Sequence, residues 1–419
     1  MALVTRAAVH EVVRARGGQF TSTTPPGPRN GRGSGLYGYR IQPGTVMSYM
    51  APGNPFAYQG PIRPEQLIDR RAELDALQRA AANHIAIRLV APRRFGKTSL
   101  LDAHVAAMRR VGHRALRVDL SRVGTVADVA ARVAAAYATL PSDTRRAVRR
   151  WAARLGVEVG VGGAKVTLGP SARQVAADDA RAALIDLLEI PARLHAADGD
   201  LTVVCFDEFQ DLLVADDGLD GLLRSVIQHH GDAVAYVYAG SQPSMMRALF
   251  DDHERPFFGQ ARPLSLPVLP SREAATDLDA LFADSHLDPD DAVDRLLAFS
   301  GGHPQRTMLL AHHLFELLDA GAAPEDPAAA ALDAAVAETA DAHQAAWDGL
   351  GRPERIVLLG LADGVPPTST RLAEEHRTPR STLQTALNRL EGAEQHVVRH
   401  HGGRSRLLDP LFREWLRRR

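Results

Sequence analysis

Residues 69–80 place Leu74 and Leu77 at helical spacing behind Asp69, a pattern that predicts a helix capped by that aspartate. Residues 85–90 then form a short apolar run rich in β-branched side chains, which reads as a strand, and a second helical pattern continues to about Arg110. The alternation repeats. Residues 115–120 read as a strand, 126–140 as a helix, 157–168 as a hairpin around Gly162 and Gly163, and 178–195 as a helix. Two more apolar strands follow, 201–206 and 233–239. Strands that alternate with helices imply a mostly parallel sheet covered on both faces. Beyond Pro270 the strand patterns stop, and 271–341 reads as several helices broken at Pro289, Gly301-Gly302 and Pro324. From about Arg352 the pattern changes again, to short helices followed by two short β runs, and no internal repeat is evident.

A chain of 419 residues exceeds one compact core and implies two or three domains. Its formal net charge of -1 gives no overall pull toward nucleic acid or membrane, so any such attraction has to be local. One local excess lies at the start: Arg6, Arg14, Arg16, Arg29, Arg32 and Arg40 face only Glu11, and residues 21–38 are rich in Gly, Pro, Ser and Thr. Residues 1–49 therefore read as a disordered basic extension, either without function or as an arm touching nucleic acid, with Met47 and Met50 as alternative starts. The single cysteine, Cys205, excludes an internal disulfide and points to a reducing cytoplasm, as a buried core residue and not a nucleophile. No apolar run reaches the length of a membrane helix, and the first residues lack the apolar stretch of a secretory signal.

Chemistry enters where the first strand meets a helix. The junction reads Ala91-Pro92-Arg93-Arg94-Phe95-Gly96-Lys97-Thr98-Ser99, and Lys97 is one of only two lysines in the chain, the other being Lys165. A loop of this kind presents backbone N–H groups and a helix N-terminus to phosphates, with the lysine reaching the β- and γ-phosphates and the hydroxyl binding Mg²⁺. Residues 92–99 are thus the expected triphosphate cradle, against the alternative of a chance Gly-Lys-Thr at a helix start. Ala91 stands where the motif has its first glycine, so its backbone must keep φ below zero or accept strain. The second requirement is a metal-holding carboxylate and a general base at the end of a neighbouring buried strand, which Asp207 and Glu208 meet. Asp207 is expected to hold Mg²⁺ through water or Thr98. Ser241, at the end of the next apolar strand, is placed to sense the γ-phosphate or the attacking water, or simply to form a turn.

These motifs, with Phe206-Asp207-Glu208-Phe209-Gln210, Ser300-Gly301-Gly302-His303-Pro304 and Asp409-Pro410-Leu411-Phe412-Arg413-Glu414-Trp415-Leu416, resemble the archaeal-type ATPase family of AAA+-like STAND NTPases. Asn54-Pro55-Phe56 and Asp69-Arg70 resemble its leading segment, so the likeness runs from about residue 50 to the end. It implies an α/β P-loop NTPase with a parallel sheet ordered 5-1-4-3-2, a helical lid and a C-terminal winged helix, and it implies ATP over GTP. Carried onto this chain, the domains are a P-loop core over 50–270, a lid over 271–345 and a winged helix over 346–419. Pro304 is then expected at the adenine and Arg306 at the phosphates, as a sensor-2-like residue. Arg255 and Arg262 are arginine-finger candidates only in that they lie beyond Ser241 on the expected rim, and they read first as solvated surface residues.

In the last stretch, 354–361 and 371–376 read as short helices, and Thr378-Pro379 as an N-cap with proline at N1 for a recognition-helix candidate over 380–390. Residues 397–399 and 404–408, joined by Gly402-Gly403, form the expected wing. Arg399, Arg404, Arg406, Arg413, Arg417, Arg418 and Arg419 outnumber Glu394, Asp409 and Glu414, and Arg380 and Arg389 add charge on the third helix. Such a face suits DNA phosphates, or else it docks onto the rest of the chain or a partner. The leading functional expectation is a Mg²⁺-dependent ATPase switch in which ATP closes the lid and winged helix and hydrolysis through Glu208 reopens them about a hinge at 267–270. The alternatives are a nucleotide-gated DNA-binding regulator with little turnover and an ATP-dependent oligomeric scaffold.

Overall fold

The computed structural model describes residues 53–140, 177–322, 324–393, 396–399 and 405–419, all within the unit Pro52–Arg419. The basic extension, the hairpin expected over 157–168 with Lys165, and Glu394, Gly402, Gly403 and Arg404 lie outside the described residues, as does the side chain of Arg399.

Five parallel strands, β1 (Ile87–Val90), β2 (Arg114–Asp119), β3 (Thr202–Asp207), β4 (Val234–Gly240) and β5 (Arg262–Ser265), lie in the order β2-β3-β4-β1-β5. Read from the other edge this is 5-1-4-3-2. Every residue of β3 and β4 is buried, so these central strands have no solvent-facing side, and in β3 only the end residues Thr202 and Asp207 are polar. Successive side chains of β3 still serve opposite faces. Val203 and Cys205 pack with Leu100, Leu101 and Val105, while Val204 and Phe206 pack with Val129, Val133 and Tyr137. The first set belongs to α2 (Lys97–Arg110), which shares its face with α1 (Arg71–Ala82), and the second to α3 (Val126–Tyr137). Strand β5 escapes the periodicity because it is a short edge strand, exposed at Arg262, Pro263 and Ser265, and proline is tolerated in a sheet only at such an edge.

Two helix boundaries differ from expectation. Asp69 does not cap α1: both it and Arg70 have positive φ, and its N–H donates to Asp277 Oδ2 at 2.7 Å, so the helix starts at Arg71 without a side-chain cap. The single helix expected over 178–195 is two, Ala177–Leu188 and Ile190–Asp198, with Pro191 in the first turn of the second.

After β5 come four helices, Ser271–Asp284, Ala292–Ser300, Pro304–Asp319 and Pro327–Asp348. Their core holds Leu278, Phe282, Leu310 and Leu314, and it also takes in Phe56, Ile68 and Leu411 from distant parts of the chain. The Phe56 ring lies 4.5 Å from that of Phe282, so the leading segment packs into this helical body. The C-terminal part comprises helices Arg352–Ala362, Thr370–Glu375 and Arg380–Ala393, the antiparallel hairpin β6 (Val397–Arg399) and β7 (Ser405–Leu407), and a last helix Pro410–Arg417. Thr378 accepts no N–H from the first turn of the third of these: Thr382 N and Leu383 N donate to Pro379 O, and the Thr378 hydroxyl donates to the carbonyl of His376 at 3.0 Å. The last helix joins two cores, Leu411 packing into the helical body and Phe412 and Leu416 against Val357, Leu383 and Leu387. Among the described residues no helix is long and apolar enough to cross a membrane.

Candidate nucleotide site

Strand β1 ends at Val90 and α2 begins at Lys97, so residues 91–96 form a loop at the C-terminal edge of the sheet, aimed at a helix N-terminus. Ala91 is not strained: it keeps φ outside the left-handed region, and its N–H donates to Gly240 O at 3.4 Å. The left-handed positions are Arg94 and Gly96, at φ 68° and 84°, so the loop makes its turn without the first glycine. Lys97 is 5% exposed, and its Nζ donates to the carbonyls of Ala91 (2.9 Å) and Pro92 (3.1 Å). Burial pushes this amine below its ordinary pKa, opposed by the carboxylates of Glu208 and Asp207.

The carboxylate pair arrives from the other half of the motif set. Neighbouring strands in register bring the end of β3 beside the loop, where Thr98 Oγ1 donates to Asp207 Oδ2 at 2.8 Å across 109 positions of sequence. Burial, largest of the causes, holds the Asp207 carboxyl above its ordinary pKa against the opposing Thr98 bond and Arg117, 3.5 Å away. Glu208 turns at φ 53°, and its Oε2 accepts from Ser241 Oγ (2.6 Å), Ser241 N (3.2 Å) and Gln210 Nε2 (2.8 Å). The acid and the serine therefore meet because β3 and β4 are adjacent strands that end together. Cys205 is fully buried, and burial raises its thiol pKa, as suits a core residue.

A cleft of about 970 Å³ opens over this loop, lined by Arg93, Arg94, Gly96, Lys97, Thr98, Ser99 and Glu208, and on the helical side by Pro304 and Arg306. Pro92 and Phe95 are not among its lining residues. Instead the Phe95 ring packs on that of His303, with centroids 4.9 Å apart. Ser99 reaches the cleft, but its Oγ accepts from Ile62 N at 3.2 Å and ties down the leading segment.

Pro304 opens its helix at the first turn, behind His303, whose ring caps Arg306 N–H at 3.4 Å and is pushed by burial to a pKa of about 4. Gly302 is no ordinary helix breaker. It has φ 71°, a Cβ there would fall 2.2 Å from Leu269 O, and its carbonyl accepts from Leu269 N at 2.8 Å, pinning this turn to the 267–270 linker. Arg306 departs from expectation. Its guanidinium is held by Asp409, with Nε 2.9 and 3.0 Å from the two carboxylate oxygens, where a phosphate contact was expected. Arg255 is likewise paired, to Asp217 at 2.9 Å and Asp220 at 3.5 Å, and Arg262 lies exposed on β5.

Residues invisible to motif reading complete the cleft: Tyr58, Gln59, Gln305 and Glu338 on one wall, Arg122 and Arg132 on another. Only Asn54-Pro55-Phe56 hinted at the first of these. At the C-terminal part, Arg380 donates to Thr368 O, Arg389 to Glu354, Arg413 to Phe299 O, Arg417 to Ala362 O and Arg418 to Asp333 and Glu414. Arg419 lies over the rings of Trp347 and Trp415, 5.0 and 5.1 Å from their centroids.

No family model matches the chain, and no curated protein matches it. Among solved structures it is similar to the Walker-type ATPase of Pyrococcus abyssi, with a TM-score of 0.61 at 17% identity, covering 86% of this chain and 99% of that one. It is also similar to the ORC2 protein of Aeropyrum pernix in ADPNP-ADP complexes, with a TM-score of 0.56 at 16% identity, covering 87% and 97%. The resemblance carried by the motifs is thus borne out as shared architecture: the chain has the α/β P-loop NTPase fold of these archaeal proteins.

Proposed function

We propose that the chain binds ATP with Mg²⁺ at this loop and hydrolyses it to switch the arrangement of a helical lid (271–345) and a winged helix (346–419) over a P-loop core (50–270). The observation that carries the reading is the 2.8 Å bond between Thr98 and Asp207, a hydroxyl and a carboxylate from two distant motifs sharing one point at a helix N-terminus. Both are hard oxygen donors of the kind Mg²⁺ takes. When bound, Mg²⁺ neutralises charge on the transferring phosphoryl group.

The chain's own residues divide the remaining work. Lys97 exchanges its two loop carbonyls for β- and γ-phosphate oxygens, and the N–H groups of residues 93–98 cradle the rest. Glu208 takes a proton from the attacking water, and Ser241 holds that carboxylate and the water in line. Pro304 packs against the base. ADPNP and ADP in the ORC2 structure support a nucleotide as the ligand.

For the C-terminal module, the arginines already bonded within the chain favour a docking role over a DNA contact. Arg417 and Arg418 in particular tie the last helix to residues 362 and 333. A salt-sensitive duplex affinity that falls on Arg380→Ala would reverse that preference. The central test is ATP turnover by the wild type, Lys97→Ala and Glu208→Gln. Lys97→Ala should lose nucleotide binding, and Glu208→Gln should keep binding while turnover drops by about 10²–10⁴-fold. Equal turnover in all three refutes the assignment.

A further inference from the structure

The motif that ends β3 runs Phe206-Asp207-Glu208-Phe209-Gln210, and the nucleotide site uses only its two acids. The residues after them are as firmly placed. Phe209 is fully buried against the rings of Tyr238, Phe250 and Phe257, with centroids 4.7, 5.9 and 5.3 Å away, and it roots the short turn Phe209–Asp211 in the core. Gln210, 1% exposed, then reaches back: its Nε2 donates to Glu208 Oε2 at 2.8 Å and to Asp211 Oδ1 at 2.9 Å. Asp211 Oδ2 in turn accepts from Arg122 N at 2.9 Å, which ties this turn to the loop after β2.

The Gln210 amide can sit only one way round. Both groups at its nitrogen are carboxylates, which accept and do not donate when ionised, so the opposite orientation would set Gln210 Oε1 against two anions. Its carbonyl end is held as closely, since a Cβ on Gly240 would fall 2.6 Å from Gln210 Oε1. What the amide steadies is a side chain on an uncommon backbone. Glu208 has φ 53°, a region that residues other than Gly, Asn, Asp and His seldom occupy, and it lines the cleft. Its Oε2 collects three donors, Ser241 Oγ and Ser241 N from the end of β4 and Gln210 Nε2 from the turn after β3. Donors from two elements fix where a carboxylate points, and a base works only from the right position.

Resting on the reading of Glu208 as the general base, we propose that Gln210 is a positioning residue for hydrolysis, holding the Glu208 carboxylate while Asp211 keeps its amide the right way round. Gln210 is not among the residues that line the cleft, so it reaches the reaction through Glu208 and not through the nucleotide. Its loss should therefore slow turnover and spare binding.

The experiment measures the affinity of the full chain for a fluorescent ATP analogue, and ATP turnover per binding-competent molecule, so that a misfolded fraction drops out. Gln210→Met, which keeps the size of the side chain without its donors, should lower kcat by about tenfold to a hundredfold and leave the analogue's Kd within about twofold. Gln210→Glu keeps the shape but sets a third carboxylate between two, and should lower kcat at least as far. Asp211→Ala should slow the wild type by about threefold or more and add nothing to Gln210→Met. In the Glu208→Gln background, Gln210→Met should change the residual turnover by less than about twofold. The inference is overturned if Gln210→Met keeps the wild-type kcat, if it weakens the analogue as much as it slows turnover, or if it slows Glu208→Gln as far as wild type. A wild type that binds the analogue without turnover removes the hydrolysis reading and this proposal with it, a result distinct from a Gln210→Met that matches an active wild type.

Discussion

Asp409→Asn offers the sharpest test of how the C-terminal part is attached. Asp409 accepts both oxygens' worth of bonds from Arg306, and it caps the last helix through Leu411 N at 2.9 Å and Phe412 N at 3.4 Å. The Arg306 side chain is only 5% exposed, so its charge cannot turn to water when the partner is lost. Asparagine keeps one acceptor and remains a good N-cap, so its cost should be that of weakening a charge-assisted bond, about 2–3 kcal/mol. Asp409→Ala strands the guanidinium and also uncaps the helix, for about 3–5 kcal/mol plus roughly 1 kcal/mol. Adding Arg306→Met to Asp409→Ala should recover much of this, with a coupling of about 2 kcal/mol or more in the double-mutant cycle. Urea unfolding in a Trp151→Phe background, followed by the fluorescence of Trp347 and Trp415, reads these values where the module packs. Burial alone would raise the Asp409 carboxyl, yet the His343 ring 3.6 Å away and the bonded Arg306 guanidinium hold it well below the usual carboxylate range. A depressed folded pKa adds stability that is present above the unfolded value near 3.9 and is lost as pH falls toward the folded one. The advantage of wild type over Asp409→Asn should therefore be full at neutral pH and shrink below about pH 4. Asparagine within about 0.5 kcal/mol of wild type, or additive single mutants, would refute the reasoning.

Three other changes are informative. His104 is fully buried with neither ring nitrogen hydrogen-bonded, and burial lowers its pKa to about 4; the unfolded chain binds its proton first, so stability should fall by about 1.4 kcal/mol per pH unit between roughly pH 6.5 and 4, and His104→Leu should remove that slope in pH-dependent unfolding. Gly302→Ala places a Cβ 2.2 Å from Leu269 O at a left-handed position and should cost about 2–4 kcal/mol in thermal unfolding, whereas Gly301→Ala, with open space around its Cβ, pays only the backbone term of about 1 kcal/mol. Thr98→Ala should raise the Mg²⁺ concentration for half-maximal ATP turnover by at least about tenfold, the loss typical even of outer-shell metal partners, and an unchanged Mg²⁺ titration would argue against Thr98 at the metal.

Much of this was legible in one dimension, because the features concerned are local. A strand, a loop with Gly96-Lys97-Thr98 and a helix are consecutive, and a buried central strand such as β3 announces itself as an unbroken apolar run. Chain order alone also found Asp207 and Glu208, since they sit where that run stops. What it missed is what depends on neighbours. Strand β5 is a strand only because β1 offers it an edge, and its own residues are mostly exposed. Asp69 has the composition of a cap but is taken up by Asp277, and Thr378 by the turn it closes. Arg306 lies at the right place in the sequence for a phosphate contact, yet the fold gives it Asp409 first.

By itself, then, the order of residues determined the strand-helix alternation, the Gly96-Lys97-Thr98 turn at a helix start and the acid pair at a strand end, because short-range periodicity and a few special residues encode them. Only the tertiary structure decided that Thr98 and Asp207 touch, that Glu208 rests on Ser241, and that Tyr58 and Gln305 stand on the same wall of the cleft. Those meetings follow from strand order and from the packing of the leading segment into the helical body, and a contact between distant residues leaves no mark on either residue's own neighbourhood in the chain.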